Sequence, residues 1–156
     1  MKKNLLLLLF CIGLTACKKG QDPSAPSKTE LLTTNNWRLA ASTVVSVSKG
    51  VSTTVDAYAT IPACERDNFI RFRPDQSMVY DEGPTTCNPT FSQTVTSSWN
   101  WADNERTLAL GTHIVGATVP YEVIEFTAGT LRLRYTLRQY FGGTDSSTEE
   151  RTYQAF

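Results

Sequence analysis

The chain has 156 residues, with fifteen basic residues against fifteen acidic ones and a single histidine. That length holds one domain, once the N-terminal segment is set aside, and not two. The charge balance lacks the clustered basic excess that nucleic acid requires.

The first element is an export signal. Lys2 and Lys3 precede an apolar stretch of about ten residues that closes on the small residues of Leu14-Thr15-Ala16. Such a stretch falls short of the roughly 18 residues that span a bilayer as a helix. Leu14-Thr15-Ala16-Cys17 resembles the lipobox of bacterial lipoproteins, which implies cleavage after residue 16 and lipid on Cys17. Residues 1–16 are then a signal peptide. Residues 17–26 carry no apolar anchor and read as a lipid-bearing flexible tether, about 30 Å long if fully stretched. Lys18 after the lipidated Cys, by resemblance to known sorting rules, implies the outer membrane. The lack of an acidic run behind it implies the periplasmic face.

A folded domain is expected over 27–156. Ser27-Lys28-Thr29-Glu30 has the spacing of a capping box, so a short helix should follow through Leu31 and Leu32 and end near Asn35-Asn36. From Trp37 onward the period is two, which means strands with one face in a core and one in water. Trp37, Leu39, Ala41, Thr43, Val45 and Val47 share one parity. The segment 48–61 reads equally as an extension of that strand or as a loop. Phe91, Val95, Trp99 and Trp101 repeat the alternation, and so do Leu131, Leu133, Tyr135 and Leu137 against Arg132, Arg134 and Arg138.

Turn chemistry separates these strands at Arg73-Pro74-Asp75-Gln76, Asp103-Asn104, Ala128-Gly129 and Gly142-Gly143-Thr144. A two-residue loop at Ala128-Gly129 sets Phe126 against Leu131 and Ile124 against Leu133, with Glu125 opposite Arg132 outside. The same register turns Glu122 inward, opposite Tyr135. The fold class read from these residues is therefore all-β, with a short N-terminal helix.

Cys11 falls in the signal and Cys17 takes lipid, leaving Cys64 and Cys87 as an even pair in an oxidising setting. A disulfide is the default reading and two free thiols the alternative. A metal site would need more ligands than this pair and His113 supply, and no cofactor is implied. His113, between Gly111 and Gly116, reads as a loop or strand-end residue. Asp81-Glu82 and Glu149-Glu150 are adjacent within strand-like stretches, so each pair splits between opposite faces and cannot converge on one bond. Nothing here reads as an enzyme.

Inward aromatics are the better lead. Trp99, Trp101, Phe126 and Tyr135, with Glu122 as a polar fixing point, are the candidate lining of a ligand cavity. Core filling would use the same aromatics but not the carboxylate, which needs a partner when buried. Arg151 faces inward if the last hairpin has a three-residue loop, and is the candidate partner.

Asn36-Trp37-Arg38-Leu39 after a short helix, Cys64-Glu65-Arg66-Asp67-Asn68-Phe69 leading to Phe72 and Pro74-Asp75, then Ser98-Trp99 and Ile124…Leu131-x-Leu133, form a recognisable succession. It resembles the lipocalin-like lipoprotein domains of Bacteroidetes over 30–156. Lipocalins proper carry Gly-x-Trp where this chain has Asn35-Asn36-Trp37. The resemblance implies a calycin-type, antiparallel up-and-down barrel of about eight strands, plugged at one end by Trp37, with Arg151 as the basic residue stacked on it. It implies non-catalytic binding of a small apolar ligand by a membrane-anchored envelope protein. The alternative is an accessory lipoprotein that docks an envelope protein through its outer surface, with a filled barrel.

Overall fold

The computed structural model describes residues 25–112, 117–138 and 145–156. The signal peptide, Cys17, most of the tether, His113 and the Gly142-Gly143-Thr144 turn lie outside the described residues.

Helix α1 (Lys28–Thr34) begins with the capping box its sequence predicts. The Ser27 hydroxyl accepts from the Glu30 amide at 3.2 Å, and the Ser27 amide donates to Glu30 Oε2 at 2.6 Å. Seven residues are too few to persist as a helix in water, so α1 depends on burying Leu32. The strands follow as β1 (Asn36–Ser48), β2 (Val51–Asp56), β3 (Phe69–Phe72), β4 (Ser77–Asp81), β5 (Thr94–Ala102), β6 (Thr107–Gly111), β7 (Thr118–Phe126), β8 (Thr130–Arg138) and β9 (Ser146–Ala155). All neighbours are antiparallel in the order β2-β1-β3-β4-β5-β6-β7-β8-β9, and β9 returns to pair with β1. Eight strands, β1 and β3–β9, thus close an antiparallel barrel, which removes the edges an open sheet presents.

Strand β2 resolves the ambiguous segment 48–61. Lys49 and Gly50 both take positive φ, 50° and 79°, so a two-residue turn folds β2 back on the upper half of β1. Every residue of β2 is exposed, and the strand lies outside the closed barrel.

Alternation along the strands holds with two corrections. β1 carries a bulge at Ala40, after which Ala41 pairs with Thr152 and Ser42 with Arg151. The extra residue reverses parity: Trp37 and Leu39 face inward, then Ser42, while the predicted inward set Ala41, Thr43, Val45 and Val47 is turned out. A second bulge at Ile124 does the same to β7. Phe126 faces Leu131 and Glu125 faces Arg132 as the sequence predicts, but beyond the bulge Val123, not Ile124, meets Leu133. Phe91 precedes β5 and lies on the surface, outside the alternation it was expected to join.

The barrel's two ends differ. At the lower end sit α1 and the short turns at 73–76, 103–106 and 127–129. Gln76 donates its amide to the Arg73 carbonyl at 3.1 Å, as the Pro74-Asp75 turn requires. At the upper end lie the longer connections, including 57–68 and 82–93. Cys64 and Cys87 join these two loops in a disulfide, with Cα atoms 5.3 Å apart. On the outer face an ion-pair ladder runs Glu125–Arg132–Glu150–Arg134–Glu122. The basic stripe of β8 is thus a solvated face, each exposed pair being worth at most about 1 kcal/mol.

Candidate ligand site

Three tryptophans build the floor of the barrel. Trp37 Nε1 donates to the Leu32 carbonyl at 2.8 Å, Trp99 Nε1 to the Arg73 carbonyl at 3.0 Å, and Trp101 Nε1 to Thr29 Oγ1 at 3.2 Å. Each indole N–H is therefore spent on a lower-end element, which a buried indole needs and which fixes the ring. The rings meet edge-on or tilted: Phe72 with Trp99 at 5.7 Å, Trp99 with Trp101 at 6.1 Å, and Trp101 and Trp37 each with Phe126 at 5.9 Å. Leu32, Met78, Leu108, Leu131 and Leu133 fill the space between them.

This corrects the expected cavity lining. Trp99, Trp101 and Phe126 face inward, but they are packed floor beside Trp37 and border neither cavity above it. Glu122 does not face inward at all. The Ile124 bulge places it opposite Arg134 on the outer face, 61% exposed and 3.3 Å from the guanidinium. Tyr135 does face the interior, where its ring meets Tyr121 at 5.6 Å. Arg151 faces inward too, but it is not stacked on Trp37. It pairs with Leu133 and Ser42, whereas Trp37 pairs with Ala155, four residues or about 13 Å lower along β9. The cation at the floor is Lys28, 5.8 Å from the Trp101 ring centre and donating to the Glu105 carbonyl.

Above the floor two cavities adjoin, sharing Tyr80 and Val95 as walls. One, of about 320 Å³, lies between β4–β7 and β9 and is bordered by Leu110, Val119, Tyr121 and Arg151. The other, of about 280 Å³, reaches down to Trp37 and Leu39. It opens between the stapled loops, where Glu65, Asn68, Asp81 and Glu82 line it. Asn68 Oδ1 is buried there with no partner among the described residues.

The polar centre of the interior is an ion pair within one strand. Glu149, Arg151 and Tyr153 alternate along β9, so all three point into the barrel while Glu150 points out. Arg151 Nε donates to Glu149 Oε1 at 2.8 Å and Nη2 to Oε2 at 2.9 Å. Ser42, 3% exposed and turned inward by the Ala40 bulge, donates to the same Oε1 at 3.0 Å. Burial opposes the charge on both partners. For Glu149 the bonds from Arg151 and Ser42 outweigh it and hold the carboxyl below its usual value. For Arg151 the bond to Glu149 and the neighbouring phenols outweigh it and hold the guanidinium charged. Its Cζ lies 5.7 Å from the Tyr121 ring centre. Burial, more than any other cause, pushes the phenols of Tyr80, Tyr121 and Tyr153 up, so they remain neutral donors.

Glu149, Ser42, Tyr80, Tyr121 and Tyr153 are interior polar residues that sequence reasoning missed. For Glu149 the signal was present. If Arg151 faces inward, period two carries Glu149 and Tyr153 inward with it. Ser42 had no such signal, because nothing in Ala40-Ala41-Ser42-Thr43 marks where the bulge falls.

No family model and no curated protein matches the chain. Among solved structures, it is similar to a complex of bovine odorant binding protein with a selenium-containing odorant, at 10% sequence identity and a TM-score of 0.41, covering 88% of this chain and 78% of that one.

Proposed function

We propose that the protein is a non-catalytic binder of a small, mainly apolar molecule, held in the upper half of its barrel and tethered to the outer membrane through lipid on Cys17. The observation that carries the binding reading is the pair of adjoining cavities above a packed aromatic floor. Their inner walls are mainly apolar and aromatic, with a fixed ion pair bordering one cavity and polar residues at the mouth of the other, the mix that small-molecule sites use. Membership of the lipocalin-like lipoproteins of Bacteroidetes, and the periplasmic face of the outer membrane, rest on the motif succession and on Leu14-Thr15-Ala16-Cys17-Lys18. No catalytic step is part of this reading: the carboxylate of Glu149 and the guanidinium of Arg151 neutralise each other.

The test is titration of the soluble domain with the neutral fluorescent probe N-phenyl-1-naphthylamine. Saturable enhancement is expected in the native protein and its loss in Val95→Trp, which fills the wall common to both cavities. Absence of saturable binding, or binding indifferent to that substitution, would overturn the reading.

Docking of an envelope protein is the second reading, and one observation favours it. Val51 and Val55 on β2, Phe91 and Leu137 are large apolar side chains exposed toward the upper end, between 49% and 68% accessible. The cavities count against the filled barrel that this reading assumed.

A further inference from the structure

We infer that the barrel selects an electrically neutral ligand with a hydrogen-bonding head group, and that Glu149 is the residue that turns carboxylates away. The inference rests on the binding reading above and deepens it.

Among the described residues, Arg151 is the one charged residue bordering the cavity between β4–β7 and β9. Alone in an apolar cavity, a guanidinium would make an obvious seat for the carboxylate of a fatty acid. It is not alone. Glu149 already occupies two of its donors in a bidentate pair, and Ser42 fixes that carboxylate from the other side. The interior polar cluster therefore carries no net charge. A second carboxylate arriving there would either compete with an intramolecular partner held in place or bring an unpaired negative charge into a poorly hydrated space, and both are costly. An ammonium head meets the mirror problem in this cavity, since Glu149, the carboxylate of its polar cluster, is committed to Arg151.

What remains on offer is neutral hydrogen bonding. Tyr80 and Tyr121 border the same cavity, and their phenols stay protonated because they are buried. A hydroxyl, carbonyl or ester oxygen can pair with such groups without upsetting the charge balance. The chemical class is thus a neutral amphiphile: an alcohol, ketone or ester on an apolar body.

Displacement of N-phenyl-1-naphthylamine from the soluble domain at pH 7.5 tests this with one chain length and three head groups: decan-1-ol, decanoate and decylammonium. In the native protein the alcohol should displace the probe at a concentration about tenfold or more below that of either ion. Glu149→Gln keeps the shape and frees Arg151, so decanoate should gain about tenfold or more while decan-1-ol changes little. Native protein that takes decanoate or decylammonium as well as the alcohol would overturn the inference and leave the binding reading standing. So would a folded Glu149→Gln protein with no gain for decanoate. Should that variant fail to fold, the three-headed comparison in the native protein still decides. Absence of probe binding would overturn both readings together.

Discussion

The indole nitrogen of Trp37 donates to the carbonyl of Leu32 across 2.8 Å, and both residues are fully buried. Helix α1 ends there with carbonyls that have no partner inside the helix, and the first residue pair of the barrel supplies one. Trp37→Phe keeps an aromatic side chain but removes the donor and part of the bulk, leaving that carbonyl dry and unpaired. The expected loss is about 1–3 kcal/mol in urea unfolding with an unchanged β-sheet circular dichroism signal.

Trp99 is a floor residue, 2% exposed and edge-on to Phe72 and Trp101. Trp99→Ala should cost about 3–5 kcal/mol, read as a large fall in melting temperature. Probe affinity of the molecules that remain folded should change little, because the cavity walls lie above this ring. A selective loss of binding at unchanged stability would contradict the placement.

The Cys64–Cys87 bond spans 23 residues and pins the two loops beside the cavity mouth. Thiol labelling of denatured, unreduced domain lacking Cys17 should find neither cysteine free. Reduction should cost about 3 kcal/mol on the chain-entropy account and lower the melting temperature.

Acid should weaken the interior pair in a defined direction. Glu149 has a folded value below its usual 4.5, so its contribution is complete above that range and is lost as pH falls through the folded value. Glu150, bonded chiefly by Arg134, titrates in the same sense on the outer face. Native protein should therefore lose melting temperature below about pH 4.5. Glu149→Gln should be less stable than native at pH 7, with the gap closing toward pH 3. Glu122→Gln, on an exposed pair, should stay within about 1 kcal/mol of native at every pH.

Membrane attachment should depend on one atom, the Cys17 sulfur. Cys17→Ser protein is expected to leave the membrane fraction for the soluble envelope fraction, measured by fractionation and blotting. Retention on membranes would contradict lipid anchoring through that residue.

Local chemistry was legible in this sequence wherever a residue's role depends on near neighbours. The capping box of Ser27 and Glu30, the Pro74-Asp75 turn, the Ala128-Gly129 hairpin with Phe126 on Leu131, and the even cysteine pair all follow from spacing and composition. The all-β class followed as well from period-two alternation over successive strands, while closure into a barrel was what the family resemblance implied. What lies inside the barrel did not follow. Side chains alternate with a period of two, so one inserted residue exchanges the two faces of everything beyond it. The bulges at Ala40 and Ile124 did this to β1 and β7, turning Ser42 in and Glu122 out. Neither insertion has a local mark in the sequence: the one at Ala40 lies where β1 closes the barrel on β9 from the far end of the chain, and the one at Ile124 interrupts the β7–β8 hairpin. Only that closure decided that the interior carboxylate is Glu149, that Arg151 answers it rather than Trp37, and that the tryptophans form a floor beneath the cavities and not their walls.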